Sequence, residues 1–430
     1  MQIKIFDIVM NQTVAFHTLG CKLNFAETSS IGRSLEAEGF IKKDFEDLAD
    51  IYVINTCSVT NNADKECRQL VRRIKRRAAD SMVVIIGCYA QLKPKEISEI
   101  EGVDMVLGAA EKFNLAHHVK QFNKGDDTKI CSCDIDEVSG FNASYSIGDR
   151  TRTFLKVQDG CDYNCSFCTI PLARGHSRSD TISNVIANVK DLAKQGTKEI
   201  VLTGINLGDF GKGDQGSKKV EETFLDLIKA LDALDDIERY RISSIEPNLL
   251  THEIIDFVAN SKHFMPHFHI PLQSGDNEVL GNMRRRYKKE LYTDRVQYIK
   301  EKMPHCCIGV DVIVGFPGET DDHFENTRTF LRDLDVSYFH VFTYSERANT
   351  LAAEMDQVPM EVRHRRNKQL RNLSYKKMMS FEEQHRGETR PVLFEYKNKN
   401  GILEGYTDNY IRVQAAYKDE IENSILDWMV

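Results

Sequence analysis

The sequence lacks any apolar run near the ~20 residues that a membrane-spanning helix requires, so we expect no membrane helix and no membrane partner. The stretch 1–10 also lacks the uninterrupted apolar core of a secretory signal, because Lys4 and Asp7 interrupt it. These two absences predict a soluble, cytoplasmic protein. An excess of positive charge is missing as well, since the formal net charge is −8. A globally basic nucleic-acid binder is therefore excluded, whereas local basic patches are not.

The sequence also lacks the features of a disulfide-stabilised secreted domain. It has 11 cysteines, an odd number, in a chain of 430 residues without a secretory signal. Metal or redox chemistry explains cysteines better in such a chain. The composition, with 41% hydrophobic and 28% charged residues, excludes a disordered or collagen-like chain. At ~150 residues per domain, the length predicts about three domains.

Three cysteines stand close together in the segment VQDGCDYNCSFCTIPLARG. Cys161, Cys165 and Cys168, here called the central triad, form a CxxxCxxC pattern directly after the strand-like run 153–158. Three thiolates on a short loop can bind three corners of an iron–sulfur cubane, which leaves one iron free to hold a small molecule. A zinc site is the alternative, but zinc usually needs a fourth ligand, for which His176 is the nearby residue.

The middle region alternates strand-like runs with amphipathic helical stretches such as 183–196. Six such β-α units predict an incomplete parallel barrel within an α/β fold. Ligands in barrels of this kind bind at the C-terminal ends of the strands. The six runs are 153–158, 198–203, 239–244, 267–270, 307–315 and 337–343.

In the N-terminal region, three apolar runs each end in a cysteine: 13–21, 50–57 and 82–88. Helical stretches separate them, so the pattern is βαβαβ and predicts an open parallel sheet. Cysteines at the C-terminal ends of parallel strands converge on one edge of the sheet, which predicts a second site. Three buried thiols are the alternative. The three cysteines, here called the N-terminal triad, are Cys21, Cys57 and Cys88.

The remaining five cysteines are predicted to bind no metal. One lies within a predicted helix, two lie in a polar linker, and two adjoin the fifth barrel strand as buried thiols. They are Cys67, Cys131, Cys133, Cys306 and Cys307.

At the central triad the chain resembles the radical S-adenosylmethionine (SAM) enzymes, and over most of its length it is similar to the methylthiotransferases among them. The segments that carry the resemblance are GCKLNFAET, INTCSVTNNADK, GCYAQ, CSFCTIPLARGHSRS, ISSIEP, HIPLQSGDNEVLGNMRRRY and DVIVGFPGET. TLGCKLN and INTCSVT are similar to the branch that acts on N6-threonylcarbamoyladenosine in tRNA. Isopentenyladenosine enzymes usually read GCQMN and NTCSIR, and ribosomal-protein enzymes usually read NTCGF.

The resemblance implies two [4Fe–4S] clusters, one on each triad, and SAM as a cofactor. The central cluster would cleave SAM to a radical that attacks C2 of the adenine, and the N-terminal cluster would supply the sulfur that a second SAM methylates. It also implies an electron donor such as flavodoxin or ferredoxin. The residues at positions where the family contacts SAM are Thr203, Gly204, Asn206, Ser243, Ser244, Glu246 and Gly315.

Other functions remain open at this point. A methylthiotransferase could act on isopentenyladenosine in tRNA or on an aspartate of a ribosomal protein, and the latter predicts a more acidic C-terminal surface. A non-catalytic iron–sulfur electron carrier or RNA-binding module would have clusters but would lack SAM-binding loops. This chain has the loops GINLG, SSIEP and GFPGET, which speaks against that alternative.

Basic runs indicate a track for nucleic-acid phosphates, and the resemblance implies that the partner is tRNA, bound at the anticodon stem-loop, and not DNA. The runs are 68–77, 284–289 and 363–377, and phosphate contacts supply much of nucleic-acid affinity. Solvated helix faces are the alternative. Tyr287 and Tyr410 are predicted to stack on unpaired bases. The predicted RNA contacts are Arg284, Arg285, Arg365, Arg366 and Lys368.

The C-terminal segment 388–414 alternates apolar and polar residues around turn signals, which predicts strands. Through GYTDNYIRV it resembles a TRAM domain, a small β-barrel that binds tRNA, and a purely structural appendage is the alternative. The predicted division is an N-terminal sheet domain (1–127), a linker (128–146), a radical SAM partial barrel (147–385) and a TRAM-like domain (386–430).

Overall fold

The computed structural model describes residues 11–57, 61–123, 127–148, 151–213, 222–395 and 401–430. The stretch 1–10, for which the sequence predicts no secretory signal, lies outside these residues. Within the described ranges, no helix combines the length and the apolar character needed to cross a membrane.

In the residues that the structure describes, the N-terminal part of the chain forms an open, parallel sheet of six strands. Its strands are β1 (Thr13–Thr18), β2 (Ile41–Lys43), β3 (Ile51–Thr56), β4 (Met82–Gly87), β5 (Met105–Leu107) and β6 (Lys129–Cys131). They pair in the order β2-β1-β3-β4-β5-β6, and the predicted parallel sheet is confirmed. The three predicted runs became β1, β3 and β4. The other strands have three residues each, too few for a periodic pattern to reveal.

Helices cover both faces of this sheet. They are α1 (Lys22–Ala37), α2 (Asn61–Arg77), α3 (Cys88–Leu92), α4 (Pro94–Ser98) and α5 (Leu115–Gln121). Val71 and Ile74 of α2 pack on one face, and Ile31 and Leu35 of α1 pack on the other. Because both faces are covered, β3 is buried at every position, and its sequence IYVINT reads as one nearly continuous apolar run.

The central part of the chain forms the incomplete barrel. The strands of this region are β7 (Ser144–Tyr145), β8 (Thr153–Lys156), β9 (Gln158–Asp159), β10 (Arg178–Ser179), β11 (Glu199–Thr203), β12 (Arg239–Ile242), β13 (His267–Gln273), β14 (Cys307–Val314) and β15 (Tyr338–Thr343). Of these, β9 and β10 form a separate antiparallel pair. Parallel pairing joins β8, β11 and β12 and then β13, β14 and β15, with a bridge between Tyr240 and Phe264 linking the two groups. These six parallel strands confirm the predicted barrel.

Helices alternate with the barrel strands. They are α6 (Ile170–Arg174), α7 (Ile182–Lys194), α8 (Phe224–Asp232), α9 (His252–Asn260), α10 (Asn277–Asn282), α11 (Lys289–Lys302) and α12 (Asp321–Asp333). A threonine side chain accepts a backbone N–H at the start of four of them, which satisfies one open donor of the first turn. The four N-caps are Thr181, Thr223, Thr251 and Thr320.

The C-terminal part consists of helix α13 (Met360–Gln384) and an antiparallel sheet of four strands in the described residues. The strands are β16 (Thr389–Phe394), β17 (Ile402–Thr407), β18 (Arg412–Ala416) and β19 (Ile425–Met429), in the order β18-β17-β16-β19. This half-barrel is consistent with the predicted TRAM-like module. Arg241 of β12 donates to the carbonyls of Thr407 and Asp408, so the sheet is bound directly to the barrel.

The segment 128–146, predicted as a linker, carries strands of both neighbouring sheets. Its β6 extends the N-terminal sheet beside β5, and its β7 pairs antiparallel with β8. The polar sequence of this segment suggested a linker because β6 is an edge strand with no fully buried residue. The boundaries of the domains stay a prediction.

A buried network of charges joins the N-terminal domain to the barrel. Glu27 of α1 is 0% exposed and binds Lys112 (2.6 Å), Lys156 (3.1 Å) and Arg174 (3.1 Å). Asp159 binds Arg174 at 2.9 Å. Burial alone would raise the pKa of the Glu27 carboxyl, but the charges of Arg174, Lys112 and Lys156 outweigh it and hold the pKa well below its usual range.

We expect Glu27→Ala to lower the free energy of unfolding by about 3–5 kcal/mol, because it leaves buried cations without their carboxylate. Urea unfolding at neutral pH measures this. Since the folded pKa of Glu27 is depressed, its stabilisation is present above the unfolded pKa of about 4 and is lost as the pH falls. The matched control is Glu38→Ala, which removes an exposed glutamate paired with Lys120 and costs at most about 1 kcal/mol. Equal losses in the two variants would contradict this role.

Candidate functional site

The central triad lies on the loop between β9 and α6, and each of its sulfurs accepts an N–H. The Tyr163 N–H donates to Cys161 Sγ at 3.4 Å, and the Ile170 N–H donates to Cys168 Sγ at 3.4 Å. Arg285 Nη1 donates to Cys165 Sγ at 3.0 Å. Donors of this kind stabilise thiolates, so the donor set fits an iron–sulfur cluster held by three cysteines.

The loop is held in place by its flanking elements. Gly160, directly before Cys161, has φ +69°, and a Cβ atom there would lie 1.9 Å from the His176 carbonyl oxygen. Only glycine permits this close approach. Burial raises the pKa of the Cys161 and Cys168 thiols to about 12, so binding of a cation is needed to displace their protons at neutral pH.

The structure does not favour zinc at the central triad. The His176 ring, the proposed fourth ligand, is 63% exposed and pairs with Asp162 at 3.2 Å. Among the described residues, one group of three or more His, Cys, Asp or Glu side chains has all its ligand atoms within 4.8 Å of one another, and it contains no cysteine. Zinc–sulfur bonds of about 2.3 Å would require closer sulfurs.

The N-terminal triad lies where the sequence predicts it, at the C-terminal ends of β1, β3 and β4. A Cβ atom on Gly20, which has φ +100°, would lie 2.9 Å from Cys57 Sγ, so the chain before Cys21 passes directly against Cys57. Burial raises the pKa of the Cys88 thiol, whereas Arg174 and Lys112 oppose this shift. The buried network around Glu27 has more cations than carboxylates, which suits an anionic cluster of three thiolates.

The other five cysteines belong to neither triad. Cys67 lies in α2 and is 0% exposed in the core of the N-terminal domain, and Cys306 and Cys307 are buried at the start of β14. Cys131 lies in β6, where its sulfur is 3.8 Å from His118 Nδ1. The Cys133 carbonyl accepts an N–H from Gln91.

Four of the predicted SAM-contacting residues line one cavity of about 440 Å³. Thr203, Gly204, Ser243 and Ser244 form part of its wall, together with Cys21 of the N-terminal triad. The cavity, here called the central cavity, therefore reaches from the barrel strand ends to the N-terminal domain.

The other three predicted SAM contacts lie outside this wall. Asn206 is 2% exposed, its Nδ2 donates to Asp209, and its Oδ1 has no hydrogen-bond partner among the described residues. Glu246 forms an ion pair with Arg285, the residue that also donates to Cys165. The Gly315 N–H donates to Glu319 at 3.1 Å.

Some predicted RNA contacts are buried and need correction. Arg366 is 3% exposed and binds Glu319 at 2.7 Å, because the turn of α13 directs every third or fourth side chain of the basic run inward. The Arg285 side chain is 4% exposed and faces the central triad. Tyr287 is buried and donates its hydroxyl to the Pro271 and Leu272 carbonyls, so it cannot stack on a base. The residues that remain exposed are Arg284, Arg365 and Lys368.

The sequence analysis missed several polar residues of the central cavity. They are three cations, three histidines and one carboxylate: Lys22, Arg152, Arg241, His267, His269, His340 and Asp311. A signal for two of them exists, because HFHI alternates polar and apolar residues and so places His267 and His269 on one strand face. Tyr410 also lines this cavity and stacks on His267 with ring centroids 4.0 Å apart.

A second, larger groove of about 1,070 Å³ runs along α13 and the end of β15. Its exposed basic side chains are Lys65, His364, Lys368 and Arg371. Tyr375 and Phe342, which are 60% and 42% exposed, add aromatic surface. We call this feature the basic groove.

Two family models match the chain: residues 13–108 match Uncharacterized protein family UPF0004, and residues 155–331 match the Radical SAM superfamily. The threonylcarbamoyladenosine tRNA methylthiotransferase MtaB of Bacillus subtilis (strain 168) is 40% identical over 93% of this chain and 90% of its own. The protein of the same name from Aquifex aeolicus (strain VF5) is 37% identical over 94% and 97%.

A tRNA-2-methylthio-N(6)-dimethylallyladenosine synthase of Clostridium botulinum (strain Langeland) is 30% identical over 89% of this chain and 86% of its own. Among solved structures, the radical SAM methyltransferase TsrM from Kitasatospora setae has a similar fold. Its TM-score is 0.58 at 16% identity, over 80% of this chain and 77% of that one.

Proposed function

The chain belongs to the radical SAM methylthiotransferase family, and from that premise we propose that it transfers a methylthio group to C2 of N6-threonylcarbamoyladenosine in tRNA. The observation that carries the proposal is the central cavity, whose wall includes Cys21 on one side and Gly204 and Ser243 on the other. A base bound there would lie between the N-terminal triad and the predicted SAM loops. Relatives at 37–40% identity are named for this reaction, which supports the same substrate.

The family uses SAM and two [4Fe–4S] clusters, and the two triads have the donors to hold them. When bound, these groups supply the radical that activates the C–H bond and the sulfur and methyl that are transferred. We assign one cluster to the central triad and the other to the N-terminal triad. Each triad offers three thiolates and so leaves one iron open to a small ligand.

The polar residues around the central triad hold it in a fixed orientation. Arg285 bridges Cys165 and Glu246, and its guanidinium brings positive charge to the sulfur of Cys165. Asn206 is positioned by Gln158, whose Oε1 accepts the Asn206 N–H at 2.8 Å. The Oδ1 of Asn206, which has no hydrogen-bond partner in the described part of the chain, is an acceptor that suits a donor group such as the SAM ammonium.

For the tRNA we propose the basic groove as the surface that holds the anticodon stem by its phosphates. Lys65 from the N-terminal domain and Lys368 and Arg371 from α13 face the same groove, so charge from two domains is combined. Phosphate contacts position a nucleic acid without reading its sequence. Tyr375 and Phe342 offer stacking surfaces for unpaired bases.

We expect Lys368→Ala combined with Arg371→Ala to weaken tRNA binding and to reduce the slope of log K against log salt by about two, one for each lost phosphate contact. Binding at several salt concentrations measures the slope. The control pair is Lys190→Ala with Lys194→Ala, two exposed lysines of α7, which should leave the slope unchanged. If both pairs leave it unchanged, the groove is a solvated helix face.

The function itself is tested with nucleosides. Cells that lack the gene should lose 2-methylthio-N6-threonylcarbamoyladenosine from their tRNA and regain it when the wild-type chain is supplied, as mass spectrometry of digested tRNA shows. Loss of the isopentenyl counterpart instead, or of a methylthio-aspartate in a ribosomal protein, would overturn the substrate assignment. A cytoplasmic location and an electron donor such as flavodoxin or ferredoxin form part of this proposal.

A further inference from the structure

The central cavity carries more positive than negative charge on its wall. Lys22, Arg152 and Arg241 line it, and Asp311 is the carboxylate among its lining residues. A cavity of this kind favours an anionic ligand over a neutral or cationic one.

Two of the three cations are already paired. Arg152 binds Glu395 at 2.5 Å, and Arg241 binds Glu199 at 2.9 Å while its other nitrogens donate to backbone carbonyls. The Lys22 ammonium forms no hydrogen bond or ion pair within the part of the chain that the structure describes. It is therefore the cation of this cavity that is available to a ligand.

The position of Lys22 is also specific. It follows Cys21 directly, at the first position of α1, and it shares the cavity wall with Gly204 and Ser243. A group bound by Lys22 therefore lies beside the N-terminal triad and faces the barrel strand ends, where the adenine must be presented.

A metal ion is the other ligand that the side chains suggest, since His269, Asp311 and His340 have ligand atoms within 4.8 Å of one another. However, Asp311 already pairs with His269 Nε2 at 2.9 Å. The cations Lys22, Arg152 and Arg241 on the same wall would repel a divalent ion. The charge of the cavity thus opposes a cation and suits a carboxylate.

We propose that the Lys22 ammonium binds the carboxylate of the threonylcarbamoyl group and so selects this substrate over an adenosine whose N6 substituent carries no charge. This inference rests on the proposed function. A charge-assisted hydrogen bond of this kind also rejects neutral analogues, because they leave the lysine without a partner.

The test compares two synthetic anticodon stem-loops, one with threonylcarbamoyladenosine and one with a primary amide in place of its carboxylate. Binding to the reconstituted enzyme is followed by fluorescence anisotropy, and kcat/KM by product formation. The wild type should bind the amide RNA about 10- to 100-fold more weakly. Lys22→Gln should bind the carboxylate RNA more weakly than the wild type does, by the same factor, and should bind the two RNAs equally. Lys22→Arg should still prefer the carboxylate RNA.

The control Lys43→Gln, an exposed lysine of β2, should behave as the wild type. The iron content and visible absorption of Lys22→Gln should match the wild type, which shows that the adjacent Cys21 is undisturbed. Equal binding of both RNAs by the wild type, or an undiminished preference in Lys22→Gln, would overturn the Lys22 assignment. A bound divalent ion whose removal abolishes the preference would overturn it too. The proposed function would be refuted instead if the wild type modified an RNA with isopentenyladenosine and neither the carboxylate RNA nor the amide RNA.

Discussion

Replacement of Cys161 by alanine is expected to abolish SAM cleavage. The Cys161 sulfur accepts the Tyr163 N–H on a loop whose path depends on Gly160, and the variant lacks this sulfur. Two remaining thiolates cannot hold a cubane whose open iron is directed at SAM. The measurement is 5′-deoxyadenosine formed under a strong reductant, which should fall to the background of enzyme-free samples. Iron should fall from about eight per chain to about four.

The matched control for this variant is Cys306→Ala. Cys306 is also a buried barrel cysteine, at 0% exposed, but it lies at the start of β14, away from the central triad. It should keep its iron and its SAM cleavage at a cost of about 1 kcal/mol in stability for the lost sulfur. Substantial 5′-deoxyadenosine from Cys161→Ala would mean that the central triad does not hold the SAM-cleaving cluster.

Most of the architecture was predictable, because buried parallel strands are long apolar runs. IYVINT and CIGVDVIV are visible in the sequence for this reason, and they became β3 and β14. The short strands β2, β5 and β6 were missed since three residues carry no periodicity. The strand β6 also has the polar composition of an edge, so 128–146 read as a linker.

The cysteine positions were predictable for a different reason. Strand topology alone brings Cys21, Cys57 and Cys88 to one sheet edge. Contacts between distant segments could not be predicted in this way. Arg285 and Arg366 belong to basic runs, and only the fold shows that they pair with Glu246 and Glu319.

The buried network around Glu27 illustrates the same limit. Its members come from α1, the segment before α5, β8 and α6, and nothing in the local sequence of any of them indicates a partner. A lone charge in an apolar segment, such as Lys156 in the strand TFLK, indicates a buried charge but does not identify its partner. The network matters for function because it fixes the N-terminal triad relative to the barrel.

Cys57→Ala is expected to separate the two halves of the reaction. Cys57 lies at the end of β3, against Gly20, in a domain with its own core, whereas the central triad lies on a barrel loop. The variant should therefore keep about four irons per chain and still form 5′-deoxyadenosine. It should form no methylthiolated tRNA, since the N-terminal triad can no longer hold the sulfur-bearing cluster.

The control for this variant is Cys67→Ala, in the same domain. Cys67 of α2 packs in the core of the domain, and burial raises the pKa of its thiol to about 12, so it stays a neutral packing group. Its removal should cost about 1 kcal/mol in stability and leave methylthio transfer intact. Liquid chromatography with mass spectrometry of the tRNA nucleosides measures methylthio transfer in both variants, and urea unfolding measures the stability. Methylthiolated product from Cys57→Ala, or its loss in Cys67→Ala with iron retained, would show that the sulfur is held elsewhere than at the N-terminal triad.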